Sequence, residues 1–109
     1  MDLNELEQFI LSLPSVSVSQ PFDDHKLVYS LNDQMFAIID KDKKPLKLSL
    51  RCDSQLSSIL RQKYDEVMPG DHLDQRFWNT IILSGQLSQQ DIKDLIRHGY
   101  NLIESITVS

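Results

Sequence analysis

Residues 68–83 read M-P-G-D-H-L-D-Q-R-F-W-N-T-I-I-L, and the fold is decided there. Pro69-Gly70 is a turn signal. Phe77 to Leu83 is an apolar, β-branched run of the kind that inner strands carry, and Trp78, the single tryptophan, stands near its start. Gly85 ends the run, and Ser88 with Asp91 three residues later opens a closing helix with a capping pattern. Ile92, Leu95, Ile96 and Leu102 or Ile103 give that helix its apolar face, and Gly99 is expected to be a close-packing point against the sheet.

Upstream, Glu66 to Met68 reads as a short strand. Asp53 caps a helix whose apolar positions Leu56, Ile59, Leu60 and Tyr64 follow a period of 3.6. Before it, in a strand opened by Pro45, Leu46, Leu48 and Leu50 alternate with Lys47, Ser49 and Arg51. That period of two turns the leucines into a core and lines Lys47 and Arg51 along a polar sheet face. Lys26 to Leu31 and Met35 to Asp40 read as a hairpin about Asn32-Asp33. Ser15 to Pro21 has no helical period and is expected as a loop. Leu3, Leu6, Phe9, Ile10 and Leu13 form one stripe of a first helix, Asp2 to Ser12, with Asp2 and Glu5 as a capping box and Pro14 as its stop. The order α-β-β-β-α-β-β-α predicts one α+β domain over 1–109, two-layered, with a mostly antiparallel sheet and the helices on one face.

The 109 residues are 40% hydrophobic and 25% charged, which excludes disorder. No apolar run approaches the roughly 18 residues of a membrane span, so no membrane partner is expected. The N-terminal helix carries Asp2, Glu5 and Glu7 where a signal peptide needs basic residues. Cys52 is the single cysteine, so no intramolecular disulfide forms and a cytoplasmic location is expected. The formal net charge of -5 argues against tight, non-specific nucleic-acid binding.

Pro69 to Ile81, P-G-D-H-L-D-Q-R-F-W-N-T-I, resembles the signature of the MmcQ/YjbR family of small bacterial proteins, with support from Leu13-Pro14, Pro21-Phe22, Met35 to Ala37 and Leu50 to Asp53. The resemblance spans nearly the whole chain. It implies the same α-β-β-β-α-β-β-α fold, similar to secretion chaperones and in layout to frataxin. It also implies the DNA-binding role that the family's basic groove suggests. Gln75 stands where the family commonly has Lys, and Phe77 where it commonly has His, so two phosphate donors are missing.

No residues assemble into catalytic machinery, and no cofactor or metal site is expected. His25, His72 and His98 sit in separate segments. The carboxylate–imidazole pairs at Asp23-Asp24-His25 and Asp71-His72-Leu73-Asp74 match no ligand spacing, and three scattered glycines cannot build a phosphate loop. Cys52 lies where a helix N-terminus can activate a thiol, although a small buried hydrophobe explains it as well. The sequence points to a small monomeric binding module with no enzymatic activity. Arg76 and Trp78 share a face of an extended segment, with Phe77 turned to the core, so the pair can stack on a base or clamp an anion if Trp78 is exposed. The candidate site is Lys47, Arg51, His72, Arg76 and Trp78, for weak nucleic-acid or nucleotide-like ligand binding by charge and stacking. The alternative is an adaptor that binds a protein partner through the acidic first helix or an open sheet edge.

Overall fold

The computed structural model describes residues 1–70 and 73–107, and among these it shows three helices and one six-stranded antiparallel sheet. In chain order the elements are α1 (Leu3–Ser12), β1 (Val16–Ser19), β2 (Lys26–Leu31), β3 (Gln34–Asp40), β4 (Lys47–Arg51), α2 (Ser54–Lys63), β5 (Val67–Pro69), β6 (Trp78–Ile82) and α3 (Gln89–Thr107). The sheet runs β1-β2-β3-β4-β6-β5. The expected order holds with one addition, because the stretch expected as a loop, Ser15 to Pro21, contains β1. The alternation V-S-V-S is too short to signal a strand alone; the ladder to β2, Val16 opposite Leu31 and Val18 opposite Tyr29, makes it one.

Local chemistry fixes the ends. Asp2 accepts from the Glu5 amide at 2.9 Å while the Glu5 carboxylate accepts from the Asp2 amide at 3.3 Å, a complete capping box. The Asp53 carboxylate accepts from the amides of Gln55 and Leu56, and the Ser88 hydroxyl from that of Asp91. Asn32 and Asp33 take φ of 52° and 64°, the two left-handed positions of a type I′ hairpin turn.

All three helices cover one face of the sheet. Leu6 and Ile10 of α1, Leu48 and Leu50 of β4, Ile81 of β6, and Ile96 and Ile103 of α3 meet there in a buried core. Each fully buried Leu or Ile contributes roughly 1.5–3 kcal/mol. Ile59, expected on the inner face of α2, is 57% exposed, because α2 packs through Leu60, the small, buried Ser57 and its C-cap Tyr64. A bulge in β3 sets Ser30 opposite Met35 and Tyr29 opposite Ala37, leaving Phe36 unopposed. Phe36 and Ala37 therefore both reach the helix side, where Phe36 meets the Tyr100 ring edge-on at 5.7 Å. Gly99 lets α3 approach the Arg51 carbonyl at the end of β4.

Candidate ligand-binding site

Because the helices occupy one face, the other face of the sheet is open. The register puts Lys26 and Val28 of β2, Ile38 and Asp40 of β3, Lys47, Ser49 and Arg51 of β4, and Trp78 and Thr80 of β6 on that face. A cavity of about 550 Å³ lies over it, within the range of roughly 300–1,000 Å³ in which small ligands are held. Ile38, Met68 and Leu73 form its apolar wall, and Phe22, 58% exposed, stands at its rim. Lys26, Lys43 and Lys47 face a single carboxylate, Asp40, among the described lining residues. In an acidic chain this is a local electropositive basin. The Ser49 and Thr80 hydroxyls hydrogen-bond each other at 2.8 Å on its floor, and Gln75 borders it.

Of the residues singled out from sequence, Lys47 lines this cavity. Trp78 does not present its ring. It is 5% exposed and packs on Val28 and Ile38, with Met35, Leu73 and Phe77 around them, as a second, smaller core under the open face. A base cannot stack on an aromatic face already covered, so the exposed-Trp reading is corrected. Phe77 is corrected too. It precedes β6 instead of lying in it, and it joins the Trp78 cluster instead of the helix-side core. Two guanidiniums lie near its ring, that of Arg51 at 5.3 Å and that of Arg76 at 5.2 Å from the centroid. Arg76 is exposed and forks onto Asp74 through Nε and Nη2 at 3.1 and 2.9 Å. The hydrogen bond from Arg76 holds the Asp74 carboxyl below the usual carboxylate range. That pairing satisfies the charge that a bound phosphate would need. His72 and Asp71 lie outside the described residues.

Sequence reasoning missed Arg61. From α2 it reaches the strand that carries Trp78, donating from Nε to Asn79 Oδ1 at 2.6 Å and from Nη2 to the Gln75 and Trp78 carbonyls. Arg61 thereby holds the segment that walls the cavity at Leu73 and Gln75. Gly70 closes the same corner. Its amide donates to the Trp78 carbonyl at 3.0 Å, and a Cβ there would stand 2.7 Å from Trp78 Cβ. Helical period and strand alternation report one segment at a time, whereas the cavity draws on β2 to β6 together. Its legible trace was the polar face of β4.

Other candidates are structural. Cys52 is buried, and burial pushes its thiol pKa up, the opposite of an activated nucleophile. The acidic ridge of α1 is engaged, with Asp2 and Glu5 in the cap and Glu7 accepting from the Tyr29 hydroxyl at 2.7 Å. Among the described residues no cluster of His, Cys, Asp or Glu could hold a metal, and no helix is long and apolar enough to cross a membrane.

An antiparallel sheet with three helices on one face and a cavity lined by three lysines on the other defines a small α+β domain with one open sheet face. The chain belongs to the YjbR family, whose model matches residues 11–102. It is 28% identical over 100 residues to the uncharacterized protein YjbR of Escherichia coli K12, covering 92% of this chain and 85% of that protein. It is 25% identical over 97 residues to YbdF of Escherichia coli O157:H7, covering 89% and 80%. Among solved structures, a Deinococcus radiodurans protein with a DUF419 domain matches at a TM-score of 0.94 and 29% identity, over 99% of this chain and 82% of that one. A Pseudomonas syringae protein, at a TM-score of 0.79 and 22% identity over 94% and 98%, shares the fold.

Proposed function

We propose that the protein is a non-enzymatic binding module that takes a small nucleotide-like anion on the open face of its sheet, by charge and stacking. The observation that carries this reading is the cavity of about 550 Å³ with three lysines against one carboxylate and an exposed aromatic ring at its rim. The lysines supply charge-assisted hydrogen bonds to a phosphate. Phe22 takes over the stacking role first given to Trp78. A small ligand suits the chain better than a long polyanion, because the lining of the basin holds three of the eleven Lys and Arg residues while the whole molecule carries -5.

The test is calorimetric titration with AMP and with short single- and double-stranded DNA, each at low and moderate salt, with Trp78 emission as a second signal. AMP is expected to bind, more weakly as salt rises, and Lys47→Ala to lower its affinity about tenfold through loss of one charge-assisted contact. Arg76→Ala, outside the cavity, is expected to leave AMP affinity unchanged. Absence of AMP binding refutes the reading. DNA binding abolished by Arg76→Ala and untouched by Lys47→Ala moves the site to the Asp74–Phe77 segment.

An adaptor role is the second reading, and the edge strand β1 favours it. β1 pairs with β2 on one side only, and Val18 is 43% exposed. An added peptide strand would dock there. Val18→Pro is expected to abolish co-purification of a protein partner, and recovery unchanged by that substitution removes the reading.

A further inference from the structure

We infer that the edge strand β1 pairs antiparallel with β1 of a second copy of this chain, about a two-fold axis at Ser17, and joins two sheets into one. The inference is independent of the cavity reading and departs from the monomer expected from sequence. β1 is an open edge, because it pairs with β2 on one side only. The opposite edge is guarded: β5 has three residues, ends in Pro69, which has no amide to donate, and packs against α2. β1 has no such cover and no edge charge. Gln8 to Phe22 holds no charged side chain, the longest such run in a chain that is 25% charged. Within that run Leu11 and Val18 are 41% and 43% exposed, and α1, which carries Leu11, packs on β1.

The occupant is a second copy because the edge complements itself. Val16 lies opposite Leu31 and Val18 opposite Tyr29, both in the helix-side core, so the valines face the helices while Ser17 and Ser19 face the open side. Directly opposed residues of an antiparallel pair share a face. Pairing about Ser17 sets Val16 of each copy against Val18 of the other, so valine meets valine twice on one face and Ser17 meets Ser17 on the other. Charge favours the same contact. Two chains of net charge -5 repel each other, and the uncharged edge lets them approach with the least charge apposed. The contact uses the same strand on both copies, and the guarded β5 edge offers no continuation, so assembly closes at the dimer. A ladder of this length buries little surface, which makes the dimer weak.

The experiment is sedimentation equilibrium of the native chain from about 5 to 500 μM, a range suited to a small interface, at low and moderate salt. The mass is expected to rise with concentration from that of one chain towards that of two, and further at moderate salt, which screens the repulsion. Ser17→Lys, on an exposed side chain, sets two ammonium groups face to face at the axis, and is expected to hold the mass at one chain with the urea midpoint unchanged. Mild oxidation is expected to link Ser17→Cys into a covalent dimer and to leave Ser19→Cys unlinked, because opposed Cα atoms, about 4.5–5.5 Å apart, put only the residue at the axis within disulfide reach of its own copy. Cys52 is buried and takes no part. If Ser17→Lys does not fold, the two cysteine variants decide. A mass of one chain at every concentration overturns the inference and leaves the edge to a foreign strand. A dimer that salt dissociates, that Ser17→Lys leaves intact, or that Ser19→Cys links as readily as Ser17→Cys also overturns it.

Discussion

Gly99→Ala sets two known effects against each other in one helix. An alanine in a helix interior is favoured over glycine by about 1 kcal/mol. At this position, however, the new Cβ would stand 2.7 Å from the Arg51 carbonyl oxygen and 3.6 Å from that of Phe36. Carbon–oxygen contacts of this kind settle near 3.3 Å, so α3 must retreat from β4 by about 0.6 Å, the difference between 3.3 and 2.7. The obstacle is strand backbone, held by the ladder in which Arg51 faces Trp78, and it cannot swing aside as a side chain would. A retreat instead loosens Ile92, Ile96, Tyr100 and Ile103, all buried against the sheet. A gap of half an ångström or more forfeits about a quarter of the dispersion well, and overpacking of this order costs about 1–3 kcal/mol. After the helix-propensity gain, the net expectation is a loss of up to about 2 kcal/mol. In urea unfolding this is a midpoint lowered by up to about 1 M at unchanged slope. Asn101→Ala, on the exposed side of the same helix, isolates propensity and is expected to be neutral or slightly stabilising. If Gly99→Ala raises the midpoint as Asn101→Ala does, the close-approach argument is wrong.

Two further outcomes follow from buried hydrogen bonds. Arg61→Ala strips donors from the buried Asn79 side chain and from the Gln75 and Trp78 carbonyls, so a loss of about 2–4 kcal/mol is expected in urea unfolding; Arg61→Lys is expected to recover little of it, because an ammonium lacks the planar fork. An Arg61→Lys protein as stable as the native one would show that charge alone suffices. For Tyr29→Phe the loss at neutral pH is about 1 kcal/mol, from the bond to Glu7. Burial, then that bond, raises the Tyr29 pKa far above the ordinary tyrosine value of about 10. The folded state therefore keeps a proton that the unfolded chain releases, and stability is level below about pH 10 and falls above it. Tyr29→Phe is expected to reduce that alkaline slope, and equal slopes in the two proteins would count against the assignment.

Most of the helical and strand pattern was legible because each element carries its own period and its own cap. Asp2, Asp53 and Ser88 cap as expected, and Asn32-Asp33 turns as expected. β1 escaped because its four residues become a strand only through β2. Ile59 was misplaced because α2 rides at the rim of the sheet, where one row of side chains suffices for burial. The site was less legible than the fold. Arg76 and Trp78 are neighbours in sequence, but one is spent on Asp74 and the other on a small core. Lys26, Asp40 and Lys47 come together only when three strands are laid side by side.

The unopposed Phe36 gives the β2–β3 hairpin a spare residue. Removing it would join Met35 to Ala37 in plain alternation, with Ser30 still opposite Met35 and Tyr29 still opposite Ala37. The ladder would survive intact and the core would be short of one ring. Removing Ile38 instead would put the residues on one side of the gap out of phase with the faces they now serve. Length changes in this arm are thus unequal in consequence, and the bulge marks the point where a residue can be lost without turning the sheet inside out.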